Sequence, residues 1–149
     1  MRGFMSSMWL TFGFFVASSA QGDAVLDWNE IALAEVAASG QLPPDGARTM
    51  AIVHVAVFDA VNAIDRRYEP VALKERAPAG ASPDAAVASA SYTVLKGLFP
   101  AREPALAKVY AAALAHLPDG PAKHLGVELG HRAASACLTR RAGETMRDR

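Results

Sequence analysis

The stretch Ala47 to Asp65, ARTMAIVHVAVFDAVNAID, limits the folds open to this chain more than any other. From Met50 to Phe58 only His54 interrupts an apolar run. A surface helix carries one apolar stripe, whereas a helix that is apolar nearly all round is expected to be enclosed by protein. A buried strand also gives a short apolar run, but the length and the alanines here favour helix. The apolar part falls well short of the ~20 residues that a bilayer span requires. The spacing therefore predicts a core helix with the rest of the chain organised around it.

Polar residues inside that helix are the first candidates for a site. With about 100° of turn per residue, Arg48, Asp59 and Asn62 fall within about 60° of one another on one face. His54 lies roughly 140° from Asp59, so the two cannot pair within the helix. Each must find partners on other elements, because an unpaired buried polar group costs about 1–3 kcal/mol. Most buried polar side chains are satisfied structural anchors, and that is the reading favoured here over a catalytic role for His54 or Asp59.

Length and composition bound the remaining choices. The 149 residues suit one domain better than two. A hydrophobic content of 52%, rich in alanine and poor in aromatics, argues for a helical protein with a packed core. Lys plus Arg equals Asp plus Glu, so no overall basic field exists to hold nucleic acid. Cys137 is the only cysteine, which excludes an internal disulfide. Its alanine-rich surroundings suit a small buried hydrophobe rather than a reactive thiol.

In chain order, residues 1–20 read as a secretory signal peptide. Arg2 supplies the positive end, Phe4 to Val16 the apolar segment, and Ala17-Ser18-Ser19-Ala20 a small-residue site cut after Ala20. The mature helical domain, 21–149, would then start at Gln21 in a secreted or periplasmic setting, with no membrane contact after cleavage. Asp27 and Glu30 suit the start of a first helix that Gly40 ends. The central helix begins at Pro44 or Asp45 and stops before Pro70. Residues 77–83 form a loop by composition. A third helix runs from Ser82 or Asp84 to Phe99, a fourth over Glu103 to His116, and a last over Ala122 to Arg140. No period-two strand pattern appears. The expectation is an all-α bundle of about five mature helices.

Three further features carry weaker signals. His124, Glu128 and His131 stand at i, i+4 and i+7 and share a helix face. Glu128 to His131 is a single Glu-x-x-His, the spacing of carboxylate di-metal bundles, which need a second copy from a facing helix. A solvated helix face is the favoured reading, and a helical metal binder the weaker one. Gly126 and Gly130 lie four apart and permit close approach of another helix, a packing device rather than a site. Arg140, Arg141, Arg147 and Arg149 form a basic tail without aromatics, as a solvated end would.

Some of these residues also look familiar together. Val25-Leu26-Asp27-Trp28-Asn29, then His54 to Ile64 (HVAVFDAVNAI), then Tyr68-Glu69-Pro70 resemble the amino-terminal region of bacterial vanadium-dependent haloperoxidase-like proteins of the type 2 phosphatidic acid phosphatase (PAP2) superfamily. Residues 85–98, with Ala86, Ala90, Tyr92 and Leu95, and residues 126–141 fit the same pattern. The resemblance implies a secreted all-helical peroxidase-type oxidoreductase, or an acid phosphatase, built on a vanadate- or phosphate-binding bundle. The family's oxyanion site uses a Lys with an Arg-Pro further on, a Pro-Ser-Gly-His, and a Ser-Arg followed by Gly-x-His. Lys and Arg neutralise the oxyanion there, and a histidine binds or attacks at the apical position.

None of those motifs stands in this sequence, so the resemblance assigns no catalytic, cofactor or metal residue, and His54 matches none of the site histidines. Vanadate is expected for the full-length family and not for these residues. The implied partner is the carboxy-terminal half of the family's fold, or a homologous subunit. Residues 142–149 leave the family pattern, as a frameshift, a premature stop or a truncated gene model would make them do. The rival expectation is a complete small exported helical module that binds through an apolar groove.

Overall fold

The computed structural model describes residues 23–147, with side chains described as far as residue 142. The expected signal peptide and its cleavage site lie outside the described residues. The architecture is all-α: α1 (Ala24–Ser39), α2 (Pro43–Ile64), α3 (Pro83–Leu98), a single 3-10 turn (Pro100–Arg102), α4 (Glu103–Ala115) and α5 (Pro121–Arg147). No strand occurs among the described residues.

Helix boundaries follow local chemistry. Asp23, not Asp27, caps α1: its carboxylate accepts the Val25 N–H at 2.9 Å. Gly40 ends that helix with φ 67°, a left-handed conformation that glycine adopts without a Cβ penalty. Pro43 and Pro44 open α2, where the missing N–H costs nothing. Ser82 caps α3 through the Ala85 N–H, and Pro83 follows at the first helical position. α2 ends at Ile64, well before Pro70. α5 continues past the expected Arg140 to Arg147, so the basic tail begins as helix rather than as a loose end.

The hub is α3, not the apolar α2 that the sequence singles out. It packs against all four other α-helices, and Ala85 to Tyr92 are buried without a break. The reason is side-chain size. Small residues let neighbouring axes approach α3 from every side. α2 meets α1, α3 and α5 only. No described helix covers its opposite face: Ala47, Ala51 and His54 are exposed, and Phe58 and Val61 are half-buried, with the Tyr68 ring 6.1 Å from that of Phe58. The expectation that α2 is enclosed on all sides is thus corrected. α2 also has the length and hydropathy of a membrane span, but half of that window is buried in the bundle, as in a core helix.

The closest packing joins α3 to α5 at the two glycines. A methyl group on Gly130 would collide with the Ala86 carbonyl oxygen and lie 2.6 Å from Ser89 Cβ and 2.7 Å from Ala90 N. At Gly126 it would lie 2.9 Å from Ala85 Cβ and strike the Ser82 carbonyl oxygen. Ser89 ties the same seam by donating its hydroxyl to the Val127 carbonyl at 2.8 Å. The expected role of these glycines as a close-packing device holds.

Two side features complete the bundle. α4 is secured by buried Leu106 and by Tyr110, which stacks on Tyr92 at 4.4 Å between centroids and meets the edge of Trp28. Glu35, buried on α1, accepts both Arg102 Nε at 2.7 Å and Nη2 at 3.1 Å. That two-pronged pair fixes the α3–α4 connection to α1. Gly130→Ala is expected to lower stability by about 1–3 kcal/mol, because the neighbouring atoms include backbone that cannot step aside; urea denaturation of the variant measures it.

Candidate functional site

Asp59 is completely buried, and its partners are main-chain amides of the segment that follows α2. One carboxylate oxygen accepts the Val71 N–H at 2.8 Å; the other accepts Ala72 at 2.6 Å and Leu73 at 2.9 Å. Asn62, one turn on, accepts the Arg67 and Tyr68 N–H groups at 3.2 and 3.0 Å and donates to the Tyr68 carbonyl at 2.9 Å. Together the two side chains replace the hydrogen bonds that residues 67–73, outside any helix, cannot make among themselves. They are the structural anchors expected. Arg48, grouped with them by helical angle, points into solvent.

The same segment is tied down from its other side. Arg66 donates to the Lys74 and Glu75 carbonyls at 2.7 and 2.9 Å, Arg132 of α5 pairs with Glu75 at 2.6 Å, and Arg140 donates to the Val71 carbonyl. The sequence gives no sign of the contacts to main-chain carbonyls, which leave no residue signature, nor of the Arg132–Glu75 pair, whose partners are far apart in the chain.

His54 stands apart from Asp59. It is exposed, and its Nε2 lies 3.1 Å from Asn29 Oδ1 of α1. It borders a groove of about 610 Å³ between the start of α1, the outer face of α2 and Tyr68. Val25, Val57, Phe58 and Val61 give it apolar walls. At its rim Arg67 binds Asp65 through two nitrogens, 2.6 and 2.8 Å from the same oxygen. Hydrogen bonding and then charge from Asp65 raise the Arg67 pKa above its ordinary value. The groove therefore offers apolar area and a compensated rim, with no nucleophile beside a base and no cluster of cations.

The remaining candidates are separate from it. His124 and Glu128 are exposed on α5. His131 turns into the α3 seam, with Nδ1 2.6 Å from Thr93 Oγ1. No group of three His, Cys, Asp or Glu that could hold a metal ion occurs among the described residues. Cys137 is buried, its thiol 3.6 Å from the Ile52 carbonyl, as a small core residue would be. Arg140 and Arg141 lie beside a shallow depression with Ala51, Ile52 and Val55. No protein-family model, curated protein or solved structure matches the chain.

Two outcomes follow. Asp59→Asn places an NH2 donor among three amide donors and should cost about 2 kcal/mol or more, read from the shift in urea midpoint. His131 has its pKa lowered, first by burial and then by the charge of Lys96. On acidification the unfolded chain takes that proton before the folded one does. The contribution of His131 is thus complete above the ordinary histidine value of about 6.5 and is lost as pH falls through the lower folded value. Thermal midpoints of His131→Gln should fall less than those of the parent chain between neutral and mildly acid pH.

Proposed function

We propose that residues 21–149 form the amino-terminal helical part of a secreted or periplasmic bacterial vanadium-dependent haloperoxidase-like protein of the PAP2 superfamily, and that they carry no oxyanion site of their own. The observation that carries this reading is the apolar groove between α1 and α2, walled by Val25, Val57, Phe58 and Val61. An apolar groove that opens to solvent suits an assembly or ligand face. The partner proposed for it is the carboxy-terminal half of the family's fold, or a homologous subunit.

Vanadate does not fit the residues at the groove. An oxyanion needs cations and converging donors, whereas here the walls are apolar, Arg67 is engaged by Asp65, and His54 is held toward Asn29. No step of peroxide-driven halide oxidation or of phosphomonoester hydrolysis can be built on them.

A second reading is a complete small exported binding module. It is favoured by the closed core, in which Val53, Val94, Leu95, Leu106 and Leu129 are all but fully enclosed. The purified chain separates the two. Supplied with vanadate, peroxide and bromide, it should show no bromide oxidation, and it should bind ANS through its apolar groove. Turnover that disappears when vanadate is withheld overturns the first reading; a cooperative melt with no ANS binding favours the module.

A further inference from the structure

We propose that α4 is a strap that opens as one unit and, in opening, uncovers the rings of Trp28 and Tyr92. The strap is separate from the α1–α2 groove and does not rest on the function proposed for it. α4 has the sparsest attachment of the five α-helices. Its backbone lies against one other α-helix, α3, whereas each of the remaining four has at least two such neighbours. Leu106 is its one buried residue, while Ala105, Val109, Ala111, Ala112 and Ala115 are exposed. An apolar helix is thus seated on the bundle by a narrow strip of its surface.

That strip centres on three rings. Tyr110 lies on Tyr92 with the two rings 4° from parallel and their centroids 4.4 Å apart, and it meets the edge of Trp28 at 6.4 Å. Trp28 and Tyr92 are buried, and the Tyr110 ring is part of their cover. Such a stack adds to the stabilisation that burial alone gives. The one ion pair of α4 among the described residues, Glu103 with Lys96 at 3.9 Å, joins two part-exposed groups and contributes little in water.

The firm ties stand just outside the helix. Arg102, the residue before it, is held by both carboxylate oxygens of buried Glu35. Beyond its far end Lys123 donates to Asp119 at 2.8 Å and to the Leu117 carbonyl at 3.4 Å. Gly120, with φ 150°, turns the chain there in a conformation that suits glycine. Two pinned ends and a lightly held middle make a strap. An element with few buried contacts opens before the chain as a whole does. Once detached, the 13 residues of α4 are short for an isolated helix, so lifting the strap also frees its amides.

Hydrogen exchange, read residue by residue on the chain as its host processes it, tests this in urea below the unfolding transition. Amides from Ala107 to Ala115 should share one opening with a common urea dependence. They should be at least about a hundredfold less protected than those from Val87 to Leu95 of α3. Tyr110→Leu should speed exchange in α4 by about tenfold and leave α3 unchanged. Leucine forms helix better than tyrosine, so if α4 merely frayed by its own propensity the same variant would slow its exchange. Tyr110→Phe keeps the ring and should keep the parent's rate. Amides of α4 as protected as those of α3, exchange in α4 without urea dependence, or Tyr110→Leu that leaves α4 unchanged, slows it or exposes α3 equally overturns the proposal.

Discussion

The contact on which the rest of this bundle depends is the approach of α5 to α3 at Gly126 and Gly130. Neither glycine has room for a methyl group, because backbone atoms of Ser82, Ala86 and Ala90 occupy the space. Helix axes brought that close need small residues on both sides. α3 supplies them in Ala85, Ala86, Ser89 and Ala90. Once α5 is seated, Leu129, Ala133 and Cys137 fall into the core behind it, and Arg132 and Arg140 are carried to the segment after α2. A substitution at the seam would therefore be felt at both ends of α5.

α2 contributes differently. Its inner face fills the core with Ile52, Val53, Ala56 and Ala60, and its carboxy-terminal half organises the chain that follows. Residues 65–82 contain no helix, so their amides need partners from elsewhere. Asp59 and Asn62 provide six hydrogen bonds to residues 67–73. A charged acceptor with three amide donors is a strong arrangement, and it is also an intolerant one, since every donor loses its partner at once.

Much of this was legible from residues alone. Gly40, the proline pair at 43 and 44, and Pro83, Pro100 and Pro121 punctuate the chain within a residue or two of the helix boundaries, because fixed φ and a missing N–H act locally. The anchoring role of Asp59 and Asn62 followed from polarity within an apolar helix, and the close packing at Gly126 and Gly130 from their spacing. Which helix is central was not legible. Hydrophobicity pointed to α2, but burial on all sides belongs to small residues, and the Ala and Ser of α3 look unremarkable in sequence. His54 was misplaced for a related reason: an apolar run tells how much apolar surface a helix has, not how many neighbours cover it. The loop partners of Asp59 were hidden because main-chain amides are the same in every residue.

The misjudged neighbour count is itself informative. The outer stripe of α2 exposes only Ala47, Ala51 and His54 and half-buries Phe58 and Val61, so little apolar area is left in water, where each buried CH2 forgone is worth about 0.8 kcal/mol. Between Ala47 and Val61 the exposed polar residues are Arg48 and His54, whereas the polar Thr49 and Asp59 are buried. The apolar run of α2 is thus accounted for by its inner face and by the groove that Val57, Phe58 and Val61 line with Val25, and it needs no helix on every side.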